Sequence, residues 1–347
     1  MKTEVLIIGQ GISGTWLSYY LEKNKVDHFV IDQADSQSAS RQAGGLINPV
    51  TGRNKVKTWL ADQLLPFCQT AYQQIGECLQ TSVIDTKTII ECFTNSEATA
   101  LFSRRVNENP QYLEIPSEPP IQLDLFHNCQ AVGLIRPAYL VSVQLLLSTW
   151  RDRLRALGKI GEYNFDPHEV VKTKSGYTYK DIQCKRIFFC DGARIQERSI
   201  SPAIPLAPTK GEALILKIPD LPPSFVYKNK LTLLPLAEKG YWWVGSSYEW
   251  AFEHTNPTSA FKEHTLTALE NWLAIPFEII EQRAAVRMGT MERRPLVGFD
   301  SPEKNWGILN GLGTKGCSLA PYFAYQLVEN LLHGSEIDPE ASWTRFQ

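Results

Sequence analysis

The sequence of 347 residues lacks several patterns that mark common classes of protein. Its seven cysteines form no CxxC pair, which argues against a zinc site or a redox dithiol and is typical of a reducing cytosol. No run approaches the roughly 18 apolar residues of a membrane-spanning helix, and the N-terminus does not predict a signal peptide. We therefore expect a cytoplasmic protein without a membrane span.

Patterns of charge and of metal ligands are equally sparse. The formal net charge of -2 gives no general attraction to nucleic acid or to an anionic membrane. The six histidines include no HExxH motif and no paired metal spacing, so no metal site is expected. No GxSxG nucleophile elbow occurs either. Basic runs at 53–57 and 151–155 are expected to be solvated faces, with a tRNA-facing surface as the alternative.

The N-terminal segment has the pattern of a dinucleotide-binding unit. EVLIIG is typical of a strand buried on both faces of a parallel sheet, and TWLSYYLEK has helical apolar spacing. Gly9 suits the tight turn between them, Gly11 the close approach of a pyrophosphate, and Gly14 the packing of helix on strand.

The next strand, HFVIDQ, ends in a carboxylate. Asp32 comes 21 residues after Gly11, which is close to the spacing of a side chain that binds a ribose hydroxyl. A strand-end cap is the alternative role for Asp32. The unit alone does not distinguish NAD from FAD.

The middle of the chain does not repeat this pattern. We expect helices over 54–79, over 133–157 and near 260–274, and a strand in TSVIDTKTIIECF. KRIFFCDGAR predicts a third buried strand, which ends in small residues where a ligand can lie. From 204 to 288 the sequence is β-rich and aromatic, as in a separate antiparallel sheet.

A second glycine-rich turn lies near the C-terminus. NWGILNGLGTKG followed by CSLAPYFAYQLVENLLHG predicts a strand, a glycine turn and a helix. Such a helix start favours binding of an anion. The nucleotide domain is therefore expected to be discontinuous, with its first unit at the N-terminus and its last at the C-terminus. An ordinary glycine-rich cap is the alternative.

Six ordered motifs carry a family resemblance over nearly the whole chain: GQGISG, SASRQAGGLINP, FFCDGAR, PLAPTKGEALIL, VRMGTMERRPLVG and NGLGTKGCSLAP. In this order they resemble the FAD-dependent amine and D-amino-acid oxidase family, which includes glycine oxidase and sarcosine oxidase. Two of them, PLAPTKGE and GLGTKG with its following Ala-Pro, are most similar to the flavin domain of the bifunctional enzyme that modifies the tRNA wobble uridine side chain.

The resemblance implies an α/β fold, α+β overall, in which a discontinuous Rossmann-like FAD-binding domain is joined to an antiparallel-sheet substrate domain. The expected FAD domain comprises 1–80, 133–203 and 289–347, and the substrate domain 81–132 and 204–288. FAD is expected to be bound without a covalent link, because Cys317 does not fall where covalently linked relatives carry their cysteine.

By the same resemblance, many residues of these six motifs are expected to contact the cofactor. The expected cofactor-binding residues are Gly9, Gly11, Ile12, Ser13, Gly14, Asp32, Gln33, Ser40, Arg41, Ala43, Gly44, Gly45, Leu46, Cys190, Asp191, Gly192, Gly311, Gly313, Thr314, Lys315, Gly316 and Cys317. In this arrangement GQGISG binds the pyrophosphate, and the C-terminal turn closes over the ring of the same FAD.

Two cations are the expected catalytic residues. Arg287 resembles the family's carboxylate-binding arginine, although Val286 and Met288 replace its usual leucine and proline neighbours. A planar guanidinium binds a carboxylate through two parallel hydrogen bonds. Arg293 and Arg294 leave the register open, and a structural salt bridge is the alternative. Lys315 is expected to meet the negative charge that develops on reduced flavin.

The expected function is FAD-dependent oxidation of a C–N bond in a small amino acid or secondary amine. A hydride passes to flavin, the resulting imine hydrolyses, and oxygen or another acceptor reoxidises the flavin. One alternative is oxidative trimming of an aminomethyl-type tRNA wobble-uridine modification, with tRNA as partner. The other is a flavin-binding module without turnover. The family's substrate-side tyrosine falls on Thr232, so fine specificity does not transfer.

Overall fold

The computed structural model of the chain describes residues 1–197, 206–299 and 305–346. Its strands are β1 Lys2–Ile8, β2 His28–Ile31, β3 Leu46–Ile47, β4 Val50–Thr51, β5 Val56–Lys57, β6 Ile84–Phe93, β7 Leu113–Glu114, β8 Ala131–Val141, β9 Ile160–Gly161, β10 Val170–Thr173, β11 Gly176–Tyr179, β12 Ile182–Phe189, β13 Leu206–Lys217, β14 Phe225–Lys228, β15 Thr232–Pro235, β16 Tyr241–Gly245, β17 Glu278–Thr290, β18 Leu296–Phe299 and β19 Trp306–Asn310. Its α-helices are α1 Ile12–Lys23, α2 Ala39–Gln42, α3 Ala61–Leu79, α4 Ser96–Glu108, α5 Val143–Ala156, α6 Ser259–Glu270 and α7 Gly316–His333.

The first sheet joins the two ends of the chain. Strand β1 lies parallel between β2 and β12, and β19 pairs in parallel with the other side of β12. The predicted apolar run of β1 is buried from Val5 to Ile8, which fits a strand covered on both faces. The predicted strand–turn–helix units at both termini are thus confirmed, and their strands β1 and β19 lie in one sheet, separated by β12.

The second sheet covers the carboxyl-end edge of the first. Over the described residues its strands follow the order β17, β13, β16, β15, β14, β6, β8 and β3, with β7 beside β8. Strand β13 lies between two neighbours and pairs antiparallel with both, with β16 on one side and with β17 on the other. The expected β-rich layer and the helix near 260–274, found as α6, are confirmed.

The predicted helix over 133–157 is wrong in its first third. Residues up to Val141 form β8, which pairs with β6, and only α5 is helical. Pro137 disfavours a helix interior because it lacks an N–H. In β8 it lies opposite the register irregularity between Lys87 and Ile89, where a strand tolerates proline.

The predicted helix over 54–79 begins later than expected, at Ala61. Residues 50–57 form the β4–β5 hairpin instead, and Gly52 takes a left-handed backbone conformation with φ 73° in its turn. The division into two domains stays a prediction, and its boundary at 203/204 lies outside the described residues.

Candidate active site

The N-terminal glycine turn has the geometry that its sequence predicts. Gly9 has φ 98°, and a Cβ at this position would lie 2.6 Å from the Cys190 carbonyl oxygen. A Cβ on Gly14 would lie 1.8 Å from the Gly9 oxygen. Both positions therefore require glycine for packing. Helix α1 starts immediately after Gly11, and the Ile12 N–H at its first turn donates to Ser40 Oγ at 3.0 Å.

Asp32 is held at the end of β2 by several donors. Its carboxylate accepts from the Gln10 N–H at 2.8 Å, the Ala34 N–H at 2.7 Å and Arg151 Nη1 at 2.8 Å. The strand-end cap is therefore present. Because Asp32 also faces the cleft described below, binding of a ribose hydroxyl remains a prediction.

Five of the six cations in the two basic runs are paired with acidic neighbours. Arg151 and Lys55 are only 4% and 8% exposed, so the expectation of a solvated side chain is wrong for both; Arg151 pairs with Asp32 and Glu162. The other pairs are Arg153–Glu22, Arg155–Glu162, Lys55–Glu91 and Lys57–Asp62. Most of the charge that suggested a tRNA-facing surface is thus already paired.

The segment after α2 passes closely under the second sheet. A Cβ on Gly44 would lie 2.4 Å from Leu234 Cδ1 and 2.9 Å from Trp243 Cδ2. Gly45 has φ 83°, and its Cβ would lie 2.0 Å from the Val141 oxygen. Trp243 Nε1 donates to the Gln42 carbonyl at 3.1 Å. Glycine at 44 and 45 is therefore favoured by the fold itself.

Arg41 lies beside the start of α1. Its guanidinium donates to Ser38 Oγ at 3.2 Å and to Gln10 Oε1 at 3.4 Å, and it lies 3.6 Å from Asp32 Oδ1. Burial lowers the pKa of Arg41, although the Asp32 carboxylate opposes that effect.

The carboxyl end of β12 is fixed to the C-terminal turn by Asn310. Its Nδ2 donates to the Gly192 carbonyl at 3.1 Å, and its Oδ1 accepts from the Gly311 N–H at 2.8 Å. Gly192 has φ 58°, and a Cβ there would meet nothing within 4 Å. The backbone of Gly192 therefore borders open space.

The two glycine-rich turns lie next to each other. A Cβ on Gly316, the first residue of α7, would lie 3.2 Å from Ile12 Cγ2 in the first residue of α1. The N-termini of these two helices thus meet at one place. Helix N-termini carry partial positive charge, so the junction favours an anionic or electron-rich ligand.

Lys315 lies at the start of α7 and points into the interior. Its Nζ donates to Asn48 Oδ1 at 2.9 Å. Burial, with a smaller contribution from Lys228, lowers the pKa of Lys315 to about 8. The side chain of Lys315 is therefore mostly protonated and positively charged below about pH 8, and mostly neutral above it.

Arg287 presents a guanidinium with most of its donors free. Its Nη1 donates to the Ser247 carbonyl at 3.2 Å, and no carboxylate of the described residues pairs with it. Burial lowers the pKa of Arg287. The guanidinium lies over Gly211, where a Cβ would be 1.9 Å from Nη2. A buried guanidinium without an acidic partner is suited to an anionic ligand.

The two neighbouring arginines do not share this environment. Arg294 donates to Glu340 Oε2 at 2.8 Å and stacks 4.4 Å over the Trp59 ring. Arg293 is exposed on the turn that follows β17. Of the three arginines, Arg287 alone borders the cleft, and its role as carboxylate anchor stays a prediction.

One cleft of about 750 Å³ brings the predicted residues together. It is bordered by Gly9, Gly11, Ile12, Ser13, Asp32, Gln33, Ser40, Arg41, Ala43, Gly44, Gly45, Leu46, Cys190, Asp191, Gly192, Arg287, Gly313, Thr314, Lys315, Gly316 and Cys317. Gly14 and Gly311 lie outside its wall and serve the packing of their turns.

Sequence reasoning missed several residues of this cleft. Gly211, Trp243 and Arg283 border it, and Arg151 supports it from behind through Asp32. Gly211 had a signal in the PTKGE motif, because a glycine inside a strand often marks a close approach. The others are ordinary strand or helix residues whose role depends on tertiary contacts.

A buried ion pair on β13 stabilises the part of the cleft wall that the segment between β16 and α6 forms. Lys210 and Glu212 are 1% and 0% exposed, and their charged atoms lie 3.1 Å apart. Glu212 also accepts from the Thr258 N–H at 2.7 Å and from Gln282 Nε2 at 2.9 Å. These bonds fix the segment between β16 and α6, which contributes Ser246, Phe252 and Thr255 to the cleft.

Solved structures with the same fold cover almost the whole chain. Glycine oxidase from Geobacillus kaustophilus superposes with a TM-score of 0.80 at 17% identity, covering 99% of both chains. Iminodiacetate oxidase from Chelativorans sp. BNC1 gives 0.77 at 19% identity, covering 98% of both. L-α-glycerophosphate oxidase from Mycoplasma pneumoniae, solved with FAD bound, gives 0.73 at 13%, covering 98% of this chain and 97% of that one.

Within the described residues, no helix has the length and apolar character needed to span a membrane. The family model described as FAD dependent oxidoreductase matches residues 4–330. This match covers nearly the whole chain, and the chain therefore belongs to the family of FAD-dependent oxidoreductases.

Proposed function

We propose that the protein oxidises a C–N bond of a small amino acid or secondary amine, with non-covalent FAD as its cofactor. The observation that carries the proposal is Arg287. Its partly buried guanidinium has one protein hydrogen bond and no acidic partner in the described chain, and it borders the same cleft as both glycine turns.

The residues of the cleft fit FAD. Helices α1 and α7 begin side by side, at Ile12 and Gly316, and the partial positive charge of their N-termini favours phosphate and electron-rich ring oxygen atoms. The open space beside Gly192 leaves room for the linking chain. Asp32 and Arg41 would hold the nucleotide end, and the segment 43–46 would border the ring.

The chemistry that bound FAD supplies is acceptance of the hydride that leaves the carbon next to nitrogen, after which the imine hydrolyses to a carbonyl compound and a smaller amine or ammonia. The protein itself supplies orientation. Arg287 binds the substrate carboxylate through two parallel hydrogen bonds, which fixes the adjacent carbon in one position. The small side chains of Ala213 and Ala285 leave space for the substrate on the floor of the cleft.

Lys315 adds a cation at the opposite wall. In its protonated form it donates from Nζ, as it does to Asn48 at 2.9 Å, and it stabilises negative charge that develops in the cleft. Because burial lowers its pKa to about 8, Lys315 is mainly charged at neutral pH. Oxygen or another acceptor completes the cycle.

An anaerobic screen of amino acids and secondary amines for bleaching of the flavin tests this function. We expect yellow protein that releases FAD on denaturation, and at least one amine that bleaches it. Replacement Arg287→Ala is expected to weaken binding of that amine. Colourless protein that takes up no FAD, or unchanged affinity in the variant, would contradict the proposal.

The same screen separates the two alternatives. A flavin that resists every amine while the protein binds a partner would favour a module without turnover. Binding to tRNA that weakens steeply with salt would favour trimming of a tRNA modification. The pairing of five of the six cations in the basic runs with acidic side chains makes the second outcome unexpected.

A further inference from the structure

A second arginine shares the face of β17 that carries Arg287. Side chains alternate between the two faces of a strand, so Arg283, Ala285 and Arg287 point the same way. The pairing of β17 with β13 is regular over this stretch, with Arg283 opposite Ala213, Ala285 opposite Gly211 and Arg287 opposite Thr209. Both arginines border the cleft.

Only small residues lie between the two arginines on this face of the sheet. Ala285, Gly211 and Ala213 are buried and carry at most a methyl group. The Arg287 guanidinium leans over Gly211, and Gly211 is two residues along the strand from Ala213, the partner of Arg283. At the rise of a β-strand, a ligand held by Arg287 is therefore only about 7 Å from the level of Arg283.

Arg283 is incompletely paired in the protein. Its Nη2 donates to Glu281 Oε2 at 2.7 Å, but its Nε is buried without a hydrogen-bond partner in the described chain. The Glu281 side chain is 49% exposed and that of Arg283 19%. An ion pair with so exposed a partner is weak, so Arg283 can exchange Glu281 for the carboxylate of a ligand.

We infer that Arg283 is a second anion-binding residue of the substrate site, which selects amines that carry two acidic groups. The inference rests on the proposed function, because Arg287 must hold the first carboxylate. The second carboxylate then lies over the Ala213 end of the floor, where it takes the place of Glu281 at Arg283 Nη2 and accepts a second hydrogen bond from Nη1. The reacting carbon and nitrogen lie between the two anchors.

Binding of carboxylates that cannot be oxidised tests this inference on the FAD-loaded protein. Dissociation constants of succinate, glutarate and adipate, and of the monocarboxylates with equal carbon number, are measured from the change in flavin absorbance at neutral pH. We expect the best-fitting dicarboxylate to bind about 10- to 150-fold more tightly than its monocarboxylate, the range of one charge-assisted hydrogen bond. A ratio near unity for every length would overturn the inference.

Three variants assign the selectivity to a residue. R283Q is expected to bring the ratio to about one, and E281Q, which removes the competing carboxylate from an exposed position, is expected to raise it. The control R293Q removes an arginine that lies outside the cleft wall and should retain the ratio of the unmodified protein. A ratio that is unchanged in both R283Q and E281Q would refute the role of Arg283.

The outcome is distinguishable from failure of the proposed function. If no amine bleaches the flavin, C–N oxidation is refuted, whereas a dicarboxylate preference that disappears in R283Q still supports a site for two acidic groups. If an amine bleaches the flavin but the dicarboxylate ratio is near unity, the oxidation stands and the role of Arg283 is refuted.

Discussion

The replacement Gly211→Ala is expected to displace the guanidinium of Arg287, the proposed carboxylate anchor, without removing it. The new methyl group would lie 1.9 Å from Nη2 and 2.0 Å from Cζ of Arg287. Ordinary contact requires about 3.4 Å, so the guanidinium must shift by at least 1.5 Å (3.4 − 1.9). Gly211 does not have a left-handed backbone conformation, and alanine therefore fits the strand.

The expected loss follows from the geometry of the bidentate contact. A shift of this size breaks at least one of the two hydrogen bonds between guanidinium and carboxylate, since hydrogen bonds weaken steeply beyond ideal geometry. A hydrogen bond to a charged group contributes about 1.5–3 kcal/mol, which corresponds to about 10- to 150-fold in affinity. Stability should change by less than about 1 kcal/mol, because the displaced group is the mobile end of a long side chain.

The assay is the dissociation constant of acetate, together with kcat/KM for whichever amine the screen identifies. Gly289→Ala is the matched control, because its Cβ would make only ordinary contacts, 3.4 Å from the Ala207 oxygen and 3.7 Å from Gly313 Cα. We expect weaker binding in Gly211→Ala and little change in the control. Equal affinity in Gly211→Ala and the unmodified protein would refute the assignment of Arg287 as carboxylate anchor.

Two further predictions concern other parts of the cleft. Lys315→Met is expected to lower the midpoint potential of bound flavin by roughly 20–90 mV, which corresponds to a charge interaction of about 1–4 kcal/mol. The difference in potential between the variant and the unmodified protein should shrink as the pH rises through about 8, because Lys315 then loses its proton. A redox titration without a shift would leave the lysine without this role. Glu212→Gln leaves Lys210 buried without its carboxylate partner. The free energy of unfolding should fall by about 3–5 kcal/mol, so an unchanged denaturant concentration at the unfolding midpoint would contradict the structural role of the pair.

The turns at both termini could be predicted because their chemistry is local. Gly9, Gly14 and Gly45 are glycines for reasons that act within the backbone, namely positive φ or a carbonyl oxygen less than 3 Å away. The buried strands β1 and β12 could be predicted because each ends in a continuous apolar run, VLII in β1 and IFF in β12. These elements sufficed to bring two distant segments of the sequence into one expected site.

The remaining features depend on partners that the sequence does not indicate. Residues 133–141 fit a helical pattern, but pairing with β6 makes them a strand. The sequence predicts Arg151 on a solvated basic face, whereas in the structure it is buried and forms ion pairs with Asp32 and Glu162. The position of Arg283 beside Arg287 follows from the regular register of β17 against β13, which only the folded sheet reveals.

The central claim is that the two glycine-rich turns bind one FAD, and the FAD content of two alanine variants tests it most directly. Gly11→Ala would place a methyl group 3.1 Å from Ser40 Oγ, and Gly316→Ala would place one 3.2 Å from Ile12 Cγ2, both at the junction of α1 and α7. We predict one FAD per chain in the unmodified protein and weaker FAD binding in both variants. Two nucleotides per chain, no FAD, or full FAD affinity in Gly316→Ala would contradict a single shared site.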